Sequence, residues 1–408
     1  MDKSNGFVKF ADRMDLLPPY LFGRINKIKL EKRKAGVDMI DLAMGNPSDP
    51  TPDPVIDKLC EVVRDSRNHR YSVASGIYNL RREVARYYDR HYRVSLNPED
   101  EIIATIGSKV GVSHLSLALL GPGDVALVPA PAFPVHIYSS VIAGASVVRV
   151  PIVEDEIFLK NIDKLCRTFI PAPKVIFLNY PHNPTTKTVN IGFFEEAVQI
   201  AKRYKLIIVH DFAYGGVTFD GYEAPSFLQV EGAKEVGVEF GTLSKAYNMA
   251  GWRVGYCVGH PKIIEALGKI KGYYDYGLFQ AIQISAIVAL RDCDSFISEQ
   301  AAIYEKRRDV LCDGLNGMGW NVEKPRASMF VWTRIPDSFQ EMGSMEFSIK
   351  LMEEAEVAVS PGVGFGEEGE GWLRIALVEN ENRIRQAIRQ IRRMSWNGRE
   401  NGKTVLLR

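Results

Sequence analysis

From about residue 55 to residue 290 the chain alternates amphipathic stretches of helical period with short, continuous apolar runs. That pattern predicts a mostly parallel sheet covered by helices on both faces. Helical spacing fits 55–67, 80–92 and 107–120, and strand-like runs fit 101–106, 125–128, 147–152, 175–178, 206–209, 236–240 and 254–258. Ahead of this region, 23–34 reads as a charge-rich helix with Ile25, Ile28 and Leu30 on one face, and 39–42 as a short strand entering a turn at Gly45. After residue 291 the alternation gives way to a long helix at 294–318, strands at 327–334 and 357–360, an alternating strand at 371–377 and a closing helix at 381–394. The expectation is an α/β protein with an N-terminal arm (1–44), a large domain (45–290) and a smaller α+β domain (291–408), the arm packing with the small domain.

In an open parallel sheet, ligands sit beyond the carboxyl ends of the strands. Gly107-Ser108-Lys109 follows the first large-domain strand and opens a helix, whose free amides suit a phosphate. Phe133, in a proline-stiffened turn after the second, could stack on a planar ring. Asn179–Thr185 follows another strand and His210-Asp211-Phe212-Ala213-Tyr214 the next; a carboxylate there needs a partner, and a protonated heterocyclic nitrogen would serve. Taken singly, Asp211 also reads as a helix cap, Asn183 as an Asx turn before its proline, and Phe133 as ordinary core.

The stretch 236–258, VGVEFGTLSKAYNMAGWRVGYCV, places Lys245 on a tight connection between two strands. Desolvation and a cationic neighbour such as Arg253 would lower its pKa and make the amine nucleophilic. Thr242, Ser244 and Arg253 add two hydroxyls and a guanidinium fork suited to phosphate. Together the strand ends carry a phosphate cup, a stacking face, a carboxylate, donors for a phenolic oxygen and an amine, the needs of one phosphorylated aromatic aldehyde.

Composition narrows the partners. The 408 residues hold 51 basic and 50 acidic side chains, a net charge of +1, so neither a nucleic-acid nor a membrane surface is indicated. Five scattered cysteines without CxxC spacing argue against disulfides and metal, which fits a cytoplasmic protein. The N-terminus shows no apolar targeting segment. Gly362-Val363-Gly364-Phe365-Gly366 superficially suggests a dinucleotide loop, but acidic residues and glycine follow it instead of an apolar helix.

The run Ser244-Lys245-Ala246-Tyr247-Asn248-Met249-Ala250-Gly251-Trp252-Arg253 resembles the cofactor-lysine signature of class I/II, fold type I, pyridoxal-phosphate aminotransferases. Tyr180-Pro181-His182-Asn183-Pro184-Thr185 resembles their second signature, and the likeness runs from about Leu17 to Met394. It implies Lys245 as Schiff-base lysine and proton shuttle, and Asp211 as partner of the pyridine nitrogen. Asn183 and Tyr214 would bond the ring oxygen, Phe133 would stack, and Ser108, Lys109, Thr242, Ser244 and Arg253 would hold the phosphate. It further implies that Tyr71 reaches the phosphate of a neighbouring subunit in a homodimer with shared active sites. Tyr20, Gly45, Asn183 and Arg374 would contact amino-acid and 2-oxo-acid substrates, with Arg374 gripping the carboxylate. Dicarboxylate-specific relatives draw a second arginine from the region after the lysine, whereas no arginine lies between Arg253 and Arg291 here. That region is instead the aromatic run 272–279. An alanine-type donor with 2-oxoglutarate or pyruvate is therefore expected. Diaminopimelate or aspartate transamination, a C–S lyase or cyclase on the same scaffold, and a non-catalytic binding module stand as alternatives.

Overall fold

The computed structural model describes residues 8–18 and 22–394. Its strands are β1 (Ile40–Asp41), β2 (Ile102–Ile106), β3 (Val125–Ala130), β4 (Ser146–Pro151), β5 (Val175–Leu178), β6 (Ile207–Asp211), β7 (Gly237–Thr242), β8 (Val254–Gly259), β9 (Phe330–Arg334), β10 (Val357–Ala358), β11 (Ser360–Pro361) and β12 (Trp372–Ala376). Seven of them form one sheet in the order β2-β8-β7-β6-β5-β3-β4. The apolar runs are continuous because both faces are buried: Ile176 and Leu178 join one core cluster, and their neighbours Val175 and Phe177 the other.

Neighbouring strands from β7 through β6, β5 and β3 to β4 are parallel, but β8 runs antiparallel to both β7 and β2. This refines the mostly parallel expectation and matters for the site. With β8 reversed, β2 is again aligned with β7, so its carboxyl end opens on the same edge of the sheet as those of β3, β5, β6 and β7. The amino end of β8, at Arg253–Val254, begins there as well.

A three-stranded antiparallel sheet, β11-β12-β9, packs with the long helix Asp294–Asn316 and the closing helix Glu381–Arg393. Asn380 caps the latter by accepting from the amides of Asn382 and Arg383, and Ile384, Ile388 and Ile391 are its buried stripe. The expected strand at 357–360 is divided. β10 pairs parallel with β1, and after Val359 the chain enters the other sheet as β11.

In the first helix, Phe22–Lys34, Ile25 is buried and Ile28 partly so, but Leu30 is 54% exposed, against expectation. Positions i, i+3 and i+4 share a helical face, so Lys29 takes the inward place and pairs with Asp41 at 2.7 Å. The helix at 55–67 is also shorter than its pattern, running Asp53–Val62 before a separate turn at Ser66–His69 capped by Asp65. No helix among the described residues is long and apolar enough to cross a membrane.

Candidate active site

Lys245 lies in a four-residue helix, Leu243–Ala246, between β7 and β8. Thr242 opens that turn by accepting from the Ser244 amide at 3.2 Å, while its own hydroxyl donates to the Val254 carbonyl at 3.0 Å. On the far side, Asn248 donates to Gln300 at 2.9 Å and to the Pro50 carbonyl at 3.2 Å, and Thr51 donates back to the Asn248 carbonyl at 3.0 Å. These bonds dock 50–51 on the lysine turn, and the Lys245 Nζ donates to the Gly45 carbonyl at 2.5 Å. Gly45 has no substitute here, since an added Cβ would lie 2.5 Å from the Phe330 ring.

Loss of hydration brings the Lys245 amine down to about 7, and the charges of Arg374 and Arg253 push the same way. A substantial neutral fraction near neutrality is what a nucleophile or proton carrier needs.

Asp211 ends β6 and is 5% exposed. Its Oδ2 sits 3.0 Å from His136 Nε2, whereas Oδ1 is buried with no hydrogen-bond partner among the described residues. An orphaned carboxylate oxygen is costly, and a protonated ring nitrogen is a donor that would satisfy it. His136 packs parallel to Phe177 and edge-on to Phe133, while the Lys109 ammonium lies 5.7 Å from the Phe133 ring centre.

Asn179 joins two strand ends. Its side chain donates to the Asp211 carbonyl at 2.6 Å and accepts from the Asn183 amide at 2.9 Å. Asn183 in turn donates to the Tyr214 hydroxyl at 3.2 Å and accepts from Arg374 at 2.8 Å. Burial pushes the Tyr214 phenol far above its ordinary range, so it stays protonated. Arg374, 4% exposed on β12, also donates to the Ala43 carbonyl at 3.1 Å, and its guanidinium lies between the rings of Phe330 (4.0 Å) and Phe365 (4.6 Å).

Ser108 and Lys109 occupy the first turn of the helix Gly107–Leu119. Gly107 has φ +72°, and a Cβ on it would lie 2.6 Å from the Arg253 guanidinium; one on Gly255 would lie 2.7 Å from the Ser108 nitrogen. The two glycines let this helix start press against β8 and Arg253, with the Thr242 and Ser244 hydroxyls 2.9 Å apart beside them. The donor set fits a phosphate, and with the Asp211 orphan and the Lys245 amine it fits a phosphorylated pyridine aldehyde.

Two expected contacts stand apart. Tyr20 lies outside the described residues. Tyr71 is 89% exposed, its ring against Tyr276 at 5.2 Å in a groove formed by 69–72 and 274–279 rather than beside the phosphate donors of its own chain. Sequence reasoning missed His136, Phe330 and Phe365 as neighbours of the site, and it placed Asn179 at a strand end without giving it a role. For His136 the one signal was a polar residue between Val135 and Ile137 in an apolar helix.

Comparison with known proteins gives the family. The model of the family "Aminotransferase class I and II" matches residues 37–391. Glutamate-pyruvate aminotransferase AlaC of Escherichia coli is 49% identical over 94% of this chain and 93% of its own length. An LL-diaminopimelate aminotransferase of Halothermothrix orenii is 43% identical over 94% of this chain and 97% of its own. Among solved structures, substrate-bound BacF of Bacillus subtilis superposes with a TM-score of 0.91 at 33% identity, covering 95% of this chain and 98% of BacF. The chain belongs to the class I and II aminotransferases, transaminases of fold type I that depend on pyridoxal phosphate.

Proposed function

We propose that this transaminase takes its amino group from a small L-amino acid of the alanine type and passes it to a 2-oxo acid such as 2-oxoglutarate or pyruvate. The observation that carries the choice of donor is the run Tyr273, Tyr274, Tyr276 and Phe279, exposed on the single chain and free of arginine. Its one acid, Asp275, turns inward to the buried Lys271 at 2.8 Å and to the Gly277 amide at 2.7 Å. The run itself then offers no cation to a second substrate carboxylate, and the basic side chains beside it in the groove are His69 and Arg70 of the neighbouring segment. The likeness to AlaC supports this reading, and the diaminopimelate aminotransferases at 40–43% identity support a second, LL-diaminopimelate as donor.

We assign the residues as follows. When bound, pyridoxal phosphate supplies an electron-accepting ring that stabilises the charge left as the amino acid loses its alpha proton. Lys245 Nζ takes that proton and can release it again near neutral pH. Asp211 holds the ring nitrogen protonated, and His136 orients Asp211. Asn183 and Tyr214 bond the ring oxygen and Phe133 covers the ring face. Ser108, Lys109, Thr242, Ser244 and Arg253 hold the phosphate. Arg374 binds the substrate carboxylate bidentately, with Gly45 at the alpha carbon, so that the C–H bond faces Lys245.

The proposal includes a cytoplasmic homodimer in which Tyr71 completes the phosphate site of the partner. It also keeps the division into an arm (1–44), a large domain (45–290) and a closing domain (291–408). A visible absorbance spectrum of the holoenzyme tests the donor. The cofactor band is expected to bleach with L-alanine and return with 2-oxoglutarate, whereas bleaching by LL-diaminopimelate alone would overturn the alanine reading.

A further inference from the structure

The glycine-rich stretch 362–366 is left unused by the site as assigned. In the structure its amides are all committed: Gly362 to the Trp372 carbonyl at 2.8 Å, Val363 to the Ser344 hydroxyl at 3.2 Å, and Gly364, Phe365 and Gly366 to the Pro361, Gly362 and Val363 carbonyls at 2.9–3.2 Å. A Cβ on Gly362 would lie 2.0 Å from the Gly369 carbonyl, so the loop closes by backbone-on-backbone contact that glycine alone permits. Such a loop cannot cradle an anion, but it can hold Phe365 firmly.

Phe365 is 1% exposed and reaches in two directions. Its ring lies 4.6 Å from the Arg374 guanidinium and is backed edge-on by Trp332. Its carbonyl accepts from the Ala132 amide at 2.8 Å, in the turn after β3 that carries Phe133. Farther out, Glu368 pairs with Arg149 of β4 at 3.4 Å, each side chain about one-third exposed. The loop thus ties the small sheet that bears Arg374 to the edge of the large sheet.

We propose that Phe365 is a positioning residue of the carboxylate clamp. Its ring fixes the plane of the Arg374 guanidinium, and its carbonyl registers that clamp against the strand end that covers the cofactor ring. The outer Arg149–Glu368 pair steadies the loop. This rests on the reading of Arg374 as the substrate carboxylate site.

The test is Phe365→Leu in the holoenzyme, assayed with L-alanine and 2-oxoglutarate. The expected result is a KM for alanine raised about tenfold, which corresponds to about 1.4 kcal/mol and lies within the range of a desolvated cation–π contact. The kcat should stay within about threefold, and the cofactor absorbance and thermal midpoint of the holoenzyme near wild type. Titration with 2-methylalanine, which has a carboxylate but no alpha hydrogen, should show the same weakening. An unchanged KM, or a fall in kcat alone, overturns the inference. If Phe365→Leu does not fold or load cofactor, the surface variant Glu368→Gln decides. It should raise KM about twofold at low salt and not at high salt, where the wild-type ion pair is itself screened, and an unchanged KM at low salt overturns the inference. A wild-type enzyme whose cofactor band answers no amino acid overturns the substrate reading and this inference together, whereas a responsive wild type whose variants respond at the same alanine concentrations overturns this inference alone.

Discussion

Two acids on neighbouring strands, Glu239 in β7 and Asp211 at the end of β6, meet the same burial in opposite ways. Glu239 is fully buried and fully bonded. Its two oxygens accept from the Tyr88 and Ser226 hydroxyls at 2.8 and 2.7 Å, the Phe227 amide at 2.8 Å and His210 Nδ1 at 2.8 Å. It pairs in register with His210, one residue before Asp211. Asp211 is nearly as buried, yet one oxygen has only His136 and the other has no hydrogen-bond partner among the described residues. A protein-satisfied acid stabilises the fold, while a half-satisfied one marks where a ligand belongs.

The largest effects would separate these two roles. Asp211→Asn should lower transamination about 10²–10³-fold, the scale of losing one preorganised electrostatic contact, with the apoprotein melting no lower than wild type. A clear loss of apoprotein stability would make Asp211 a second structural acid and erase the contrast. Glu239→Ala strands a histidine, two hydroxyls and an amide, so chemical denaturation should show a loss of about 3–5 kcal/mol, while the molecules that remain folded keep wild-type kcat.

Removing pyridoxal phosphate sharpens the difference. At a hundred times the dissociation constant the cofactor should add about 2.7 kcal/mol, and Asp211→Asn should shrink that increment where a mild Glu239→Gln should not. A further contrast is in pH. The folded chain holds Lys245 near 7, whereas a free lysine keeps its proton to about 10.5. The unfolded state therefore binds the extra proton between these values, and apoprotein stability contributed by this group rises with pH across that window. Lys245→Met should flatten that rise, and an unchanged profile would mean the amine is not desolvated.

Much of this was legible beforehand because the signals were local. Short continuous apolar runs alternating with amphipathic helical stretches point to a sheet buried on both faces, and the residues after each run lie at its carboxyl edge whatever the strand order. The helix at Phe22–Lys34 was misread at Leu30, since charge alone hid that Lys29 goes inward to Asp41.

The fold class, the lysine turn and the placing of the candidate residues at strand ends follow from the chain alone, because period, turn residues and motif spacing are properties of neighbours along the chain. Tertiary structure alone decided the reversal of β8, the His136–Asp211 and Asn179 contacts, and the seat of Arg374 between Phe330 and Phe365. His136 and Asp211 are 75 residues apart, and Arg374 and Asn183 are 191 apart. Hydrogen bonds and ring packing at such separations leave no period in the chain, since they depend on where folding brings two distant backbones together.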